Sequence, residues 1–354
     1  MTTNPQRALS AAELEAEKYC MGVLPSVSRT FALSIRVLGG DLRRSVLVSY
    51  LICRIADTVE DEPAIDAEDK ARLFDRLAAC LDDPALSSGF AAASTALAGD
   101  PAHTRLATRA DTVFTLYAAL PAASRGHVRR WVAEMVGGMR KFVLIYPHGI
   151  RIQTLEEYRE YCYYVAGTVG YLLTDLWREH SPIIGAAIHD KLRARCRAFA
   201  EALQTVNILK DVAQDAEREN SIYIPDQSLR AQGSGHETIL SPAHVPQNHA
   251  AVASLVQLAG SDLDDALDYL LLLPRRAVSI RLFCVLPLLF AGATLRDLTR
   301  STAMLLPGGV VKISRREVRT LVLVGPLLIM SNCGLRWLAG RVRRRPLAVA
   351  RSAG

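Results

Sequence analysis

The sequence predicts an all-α protein with a single domain built on one core. Three observations carry that reading. Half of the 354 residues are apolar but only 6% are aromatic, and the abundance of Ala, Leu, Val and Arg favours helices. Apolar residues recur at three- and four-residue spacing, and no run alternates as a strand would. No Gly-rich phosphate loop follows a strand pattern, and no short-period repeat or linker divides the chain.

The expected division is an N-terminal arm over 1–15, a helical domain over 16–340 and a basic tail over 341–354. Helix formers begin at Ala11, and Pro25 is expected to stop them. A hydroxyl-rich turn from Ser26 leads into Phe31–Leu38, and Gly39-Gly40-Asp41 is a turn with Asp41 as the expected N-cap of the next helix. That helix ends by Pro63, and residues 66–81 form an amphipathic one. A weaker helix lies within 82–101, and helices follow over 104–120 and 129–146. Residues 154–177 read as one long helix, with Gly167 and Gly170 inside it at a cost of about 1 kcal/mol each relative to Ala. Such glycines permit close backbone approach or a kink. A helix over 183–219, a Pro/Gly/His-rich loop over 225–250 and helices over 251–273, 278–293 and 315–340 complete the chain.

The net charge of +6 is concentrated in Arg341-Val-Arg343-Arg344-Arg345, which is no nucleic-acid footprint across a domain. It suits an acidic ligand or an anionic membrane surface. Seven cysteines without a Cys-x-x-Cys read as buried thiols in a reducing compartment, with no disulfide framework or zinc site. No apolar leader begins the chain, so the cytoplasm is the expected location. The apolar runs 282–293 and 321–330 are too short to span a bilayer and read as core helices. The second run and the arginines after it raise the expectation of a peripheral membrane contact through the C-terminus.

Two acidic stripes carry the chemistry. Asp57 and Asp61, four apart, share a helix face with Tyr50 and Arg54. Some 150 residues later Gln204, Asn207, Asp211 and Asp215 make a second stripe. Two such pairs in an all-α chain suggest carboxylates facing each other across a bundle. Oxygen ligands without His or Cys point to Mg²⁺ or Mn²⁺, which completes its shell with substrate phosphates. Arg29, Arg54, Lys210 and Arg218 are candidate phosphate partners. The competing reading is two solvated stripes answered by nearby arginines. An apolar channel over Val165 and Val169 beside the acids would suit a long hydrocarbon diphosphate.

These residues resemble the squalene/phytoene synthase family. The match rests on Ser28-Arg-Thr-Phe31, Tyr50-x3-Arg54-x2-Asp57-Thr-Val-Glu-Asp61, Tyr161-Cys-Tyr-Tyr-Val-Ala-Gly167-x2-Gly170, Gln204-x2-Asn207-Ile-Leu-Lys-Asp211-x3-Asp215 and Tyr223-Ile-Pro225, in the family's order over about residues 20–300. Phe283-Cys-Val-Leu-Pro287 and Val311-Lys312-Ile313-Ser314-Arg315 resemble the squalene-forming branch. Departures are Gln214 where Glu is common, Lys210 where Arg is common, Ser314 in place of a basic residue, and an altered length between Asp215 and Pro225 that leaves Arg218 without a carried-over role.

The resemblance implies an isoprenoid-synthase-type helical bundle around a central cavity. It implies a Mg²⁺-dependent prenyltransferase that condenses two farnesyl diphosphates to presqualene diphosphate and, with NADPH, reduces this to squalene. The expected metal ligands are Asp57, Asp61, Asp211 and Asp215. Tyr161 and Phe283 join them as expected catalytic groups. Expected substrate contacts are Ser28, Arg29, Phe31, Tyr50, Arg54, Val165, Val169, Gln204, Asn207, Lys210, Cys284 and Pro287, and Lys312 and Arg315 are expected to hold NADPH. Glu60 lies off the Asp57–Asp61 stripe and ranks below them. Alternatives are a phytoene, dehydrosqualene or presqualene diphosphate synthase without the reductive step, and a non-catalytic membrane-associated scaffold. The scaffold would be marked by eroded metal-binding aspartates, and all four are present.

Overall fold

The computed structural model describes residues 8–347, the side chain of Arg29 excepted. Among these residues the chain is helical, with no strand and a single isolated bridge between Arg151 and Ile222. The remainder of the expected arm and tail, residues 1–7 and 348–354, lies outside the described residues.

Helix α1 (Ala11–Val27) starts inside the expected arm because Ser10 and Glu13 form a capping box. It runs through Pro25, placed so near the end that it removes one backbone bond without breaking a long rod. Ser28 ends α1 and caps α2 (Arg29–Arg36), its hydroxyl accepting from Phe31 N at 3.1 Å. Gly39, not Asp41, is the N-cap of α3 (Gly40–Glu60), and Asp41 instead pairs with Arg44 in the first turn at 2.6 Å. Asp66 caps α4 (Ala67–Asp82). The short α5 (Ser87–Ala93) follows, and the helix expected over 104–120 divides at Arg109 into α6 (Pro101–Ala107) and α7 (Ala110–Ala118).

Pro121 starts α8 (Ala122–Ile145) earlier than expected. The long helix over 154–177 is continuous but not uniform. Its parts are α9 (Leu155–Cys162), one π-helical stretch over Tyr163–Gly167 and α10 (Thr168–His180). Next is the 33-residue α11 (Ala186–Arg218). A Cβ on Gly170 would lie 2.2 Å from the Cys196 carbonyl oxygen, so this glycine lets α10 and α11 touch backbone to backbone.

The loop expected over 225–250 is more ordered than its composition suggests. It holds α12 (Asp226–Arg230) and the start of α13 (Val245–Leu272), and buried Asn248 bonds the carbonyls of Thr238 and Ile239. Helix α14 (Val278–Leu298) is long and apolar enough to cross a membrane, but 78% of its most apolar stretch is buried in the bundle. The helix expected over 315–340 divides into α15 (Arg315–Leu327) and α16 (Asn332–Arg344), because Ser331 caps the second. The expected basic tail is corrected in part. Arg341, Arg343 and Arg344 belong to α16, and Arg343 pairs with Asp264 and bonds the Gly260 carbonyl. Six cysteines are buried thiols as expected, but Cys333 is exposed.

Helices α3, α8, α10, α11 and α14 surround the centre of the molecule, with α2 closing one side. Their inward faces leave a cavity.

Candidate active site

Helices α2, α3, α10, α11 and α14, with the π segment, line a mainly apolar cavity of about 1140 Å³, its open mouth included. Phe31, Tyr50, Arg54, Asp57, Val165, Val169, Gln204, Asn207, Phe283, Cys284 and Pro287 all stand on its wall. Eleven expected residues from five segments thus converge. Leu286, between Cys284 and Pro287 in the chain, packs instead towards Gly325 of α15.

One side of the cavity is aromatic. Phe31 lies 5.3 Å from Tyr50 and 6.3 Å from Phe283, whose ring meets Trp177 edge-on at 5.3 Å. The sequence reading missed Trp177, Phe199 and Tyr269 on this wall. Trp177 was legible, since Val165, Val169, Leu173 and Trp177 follow one four-residue stripe and all four line the cavity. Phe199 and Tyr269 carried no comparable signal.

The polar end belongs to α3 and α11. Arg54 is paired with Asp57 at 3.3 Å, and its Nη2 reaches the Tyr50 hydroxyl at 3.5 Å. Its Nε is buried without a hydrogen-bond partner, a donor suited to an anion. From this end the stripes continue one turn to Asp61, the C-cap of α3, and to Asp211 and Asp215 on α11. Burial raises Asp61, and the charges of Glu219 and Asp57 add to it. Asp215 is pushed up to about 8 by burial, Asp211 and Asp61. The charge of Asp61 bears on Asp215 and that of Glu219 on Asp61, so each stripe raises the other's carboxyls.

Glu219 extends the second stripe by another four residues, a signal present in the sequence and passed over. Burial, Asp215 and Glu60 push it up to about 8. Lys210 contacts its neighbour Asp211. The donors are all oxygens, with no thiol or imidazole among them, and crowded negative charge asks for a hard cation; the set suits Mg²⁺. Among the described residues no three His, Cys, Asp or Glu side chains form a group that could hold a metal ion by themselves. A magnesium ion that keeps waters and takes phosphate oxygens does not need one.

Tyr161 is buried outside the cavity lining, its hydroxyl donating to Glu60 Oε2 at 2.9 Å and its ring stacked on Tyr223 at 4.9 Å. Glu60 lies off the aspartate stripe because it faces Tyr161. Ser28 uses its hydroxyl as the cap of α2, next to cavity-lining Phe31. Arg29's side chain lies outside the described residues. Lys312 and Arg315 are exposed and off the cavity wall. Their segment is tied to the end of α11, where Gly308 N donates to Glu217 Oε1 at 2.9 Å. Two exposed cations at the start of α15 suit the phosphates of a dinucleotide.

An all-α bundle with an apolar cavity and facing carboxylate stripes defines a protein of the isoprenoid-synthase type. The model of the squalene/phytoene synthase family matches residues 24–317, and the chain belongs to that family of prenyltransferases. It is 29% identical over 313 residues to a squalene synthase of Mycosarcoma maydis, covering 82% of this chain but about half, 52%, of that protein's length. It is 26% identical to squalene synthase 1 of Arabidopsis thaliana, covering 88% of this chain and 72% of that protein. A solved ligand complex of TcSQS shares the fold with a TM-score of 0.79 at 24% identity, covering 95% of this chain and 94% of that one.

Proposed function

We propose that this chain joins two farnesyl diphosphates head to head into presqualene diphosphate and, with NADPH, reduces that product to squalene. The observation that carries the reading is continuity: an apolar cavity runs into a polar end where Arg54 and Asp57 meet the facing acidic stripes. Relatives described as squalene synthases, at 25–29% identity, support it.

In this reading the hydrocarbon tails lie along Val165, Val169, Leu173 and Phe283, and Arg54, Ser28, Arg29 and Lys210 hold diphosphate oxygens. Gln204 and Asn207 fix the polar head beside them. Asp57, Asp61, Asp211 and Asp215 would hold Mg²⁺, which would supply charge neutralisation for the departing diphosphate. As the C–O bond breaks, its electron pair leaves with the diphosphate, and the double bond of the second farnesyl chain supplies the new C–C pair. Loss of one proton closes the cyclopropane. The aromatic faces of Phe31, Tyr50 and Phe283 stabilise cationic carbon, and the apolar wall keeps water from it. Tyr161 orients Glu60 from behind the site. Lys312 and Arg315 would hold NADPH, which supplies the hydride that ends the second ionisation.

A second reading ends without reduction, at presqualene diphosphate, dehydrosqualene or phytoene. The position of Lys312 and Arg315 off the cavity wall favours it, because a hydride must reach carbon held inside the cavity. Purified protein incubated with farnesyl diphosphate and Mg²⁺, with and without NADPH, separates the two. Squalene formed only with NADPH supports the first reading. A C30 hydrocarbon formed equally well without NADPH overturns it, and a C40 product from geranylgeranyl diphosphate with farnesyl diphosphate inert overturns the choice of substrate.

A further inference from the structure

We propose that Arg151 is a positioning residue for the acidic end of α11, which it holds in place by clasping Asn220. The proposal rests on the reading of the facing stripes as a Mg²⁺ site for diphosphate. It concerns how the protein keeps that site in shape.

The end of α11 needs holding. Asp211 and Asp215 lie in its last two turns, Glu219 is its C-cap, and Arg218 is the basic residue of the last turn. The C-terminus of a helix is its negative pole, so carboxylates there are unfavourable. Burial and mutual repulsion add to the cost, and both Asp215 and Glu219 are pushed up to about 8. Such a turn frays unless something outside the helix ties it.

Arg151 supplies the tie. The N–H groups of Glu219 and Ser221 both donate to the Asp215 carbonyl, at 3.1 and 3.0 Å, so the chain turns sharply there. Asn220 between them takes φ +49 and is the one non-glycine residue in the left-handed region among the described residues. Arg151 reaches it with a fork: Nη1 donates to the Asn220 carbonyl, and Nη2 donates to Asn220 Oδ1 at 2.6 Å. Asn220 Nδ2 in turn donates to the His148 carbonyl at 2.6 Å. A Cβ on Gly149, whose φ is +105, would collide with the Asn220 carbonyl oxygen, so the two segments lie in backbone contact. The hydrogen bonds of Arg151 go to neutral oxygens of Ile150 and Asn220, and its charge stands by the negative pole of α11.

From the clasp the two segments run on together. Ile222 N donates to the Ile150 carbonyl at 2.8 Å, and Ile152 N to the Ile222 carbonyl at 3.2 Å. Tyr223 follows, its ring stacked on Tyr161, which holds Glu60 of α3. The clasp therefore fixes the ends of both stripes, Glu219 directly and Glu60 through the two tyrosines. Glu60 and Glu219 line a second, polar cavity of about 1410 Å³, its open mouth included, with His148, Gly149, Asn220 and Ser221 on its wall. Arg151 does not line the apolar cavity. The clasped turn lies between Asp215 and Pro225, the stretch whose length departs from the family's pattern.

The test separates positioning from plain stability. Arg151→Lys keeps the charge and loses the fork. Asn220→Gly keeps the left-handed turn and loses both side-chain bonds. Mn²⁺ binding to the full chain is measured by calorimetric titration in the presence of inorganic pyrophosphate. Loosening a group that orients metal ligands weakens metal affinity on the order of 10- to 100-fold. The Kd for Mn²⁺ should therefore rise about tenfold or more in Arg151→Lys and by a smaller factor in Asn220→Gly. At saturating Mg²⁺ the KM for farnesyl diphosphate should keep its wild-type value, because the apolar wall is untouched. Wild-type Mn²⁺ affinity in both variants, whatever their melting temperatures, overturns the proposal. If Arg151→Lys does not fold, the Asn220→Gly titration alone decides. Wild-type protein that binds no Mn²⁺ with pyrophosphate present overturns the metal reading itself, and the proposal with it.

Discussion

The hydroxyl of Tyr161 donates to Glu60 Oε2 at 2.9 Å across 101 residues of sequence. Both groups are buried, and the other carboxyl oxygen of Glu60 has no hydrogen-bond partner. Tyr161→Phe would leave the whole carboxyl without a partner. An unsatisfied buried polar group costs about 1–3 kcal/mol, so a denaturant melt should register that loss. Turnover should fall on the order of a hundredfold, the scale of losing one positioned hydrogen bond at a reacting centre. Wild-type stability and turnover in the variant would remove this pair from the site.

Asp57→Asn and Asp211→Asn each remove one oxygen ligand from the facing stripes. Product formation from farnesyl diphosphate should fall by a factor of about 100 or more, with helical content by circular dichroism unchanged. Retained turnover in either variant would count against the metal assignment.

The same stripes make a prediction for the metal-free protein. Burial and its acidic neighbours push Asp215 up to about 8 from an ordinary carboxylate value. A raised folded-state pKa in an acid means that the folded state holds the proton longer than the unfolded state does. Stability is therefore lost as pH climbs from about 4 towards about 8. Asp215→Asn should lose less over that window in chelator-treated protein and melt higher at neutral pH, while being inactive. Equal pH dependence of the two melting curves would show that Asp215 does not bear this charge.

Gly170→Ala places a methyl group 2.2 Å from the Cys196 carbonyl oxygen unless α10 and α11 part. Overpacking of this kind costs about 1–3 kcal/mol. A lowered melting temperature is the expected reading. A variant as stable as wild type would mean that the two helices separate freely.

Lys312→Gln and Arg315→Gln test the reductive step alone. The KM for NADPH should rise about tenfold, a loss of about 1.4 kcal/mol. Formation of presqualene diphosphate should be unchanged, because neither residue lines the cavity. A parallel fall in both steps would place these residues in the condensation site instead.

Most helices, the two acidic stripes and the apolar face of α10 were legible because each depends on spacing within one helix, and the 3.6-residue period sets that locally. Glu219 and Trp177 obey the same rule and could have been read from it. Caps and interruptions were harder. Gly39 rather than Asp41 starts α3, Pro25 is tolerated inside α1, and the π-helical turn over 163–167 interrupts a rod that the pattern makes uniform. These are decided by packing and by small differences in backbone geometry that composition does not encode.

The helical class, the two carboxylate pairs and the family's motifs follow from the order of residues along the chain. That Glu60 meets Tyr161, that Phe31 and Phe283 share a wall, and that Arg341, Arg343 and Arg344 complete a helix follow from packing. Each joins residues far apart in the chain, and a period within one helix carries no information about which other helix it will meet. That is settled by burial: the bundle closes where α3, α10, α11 and α14 cover one another's apolar faces, and the cavity is what their side chains leave unfilled.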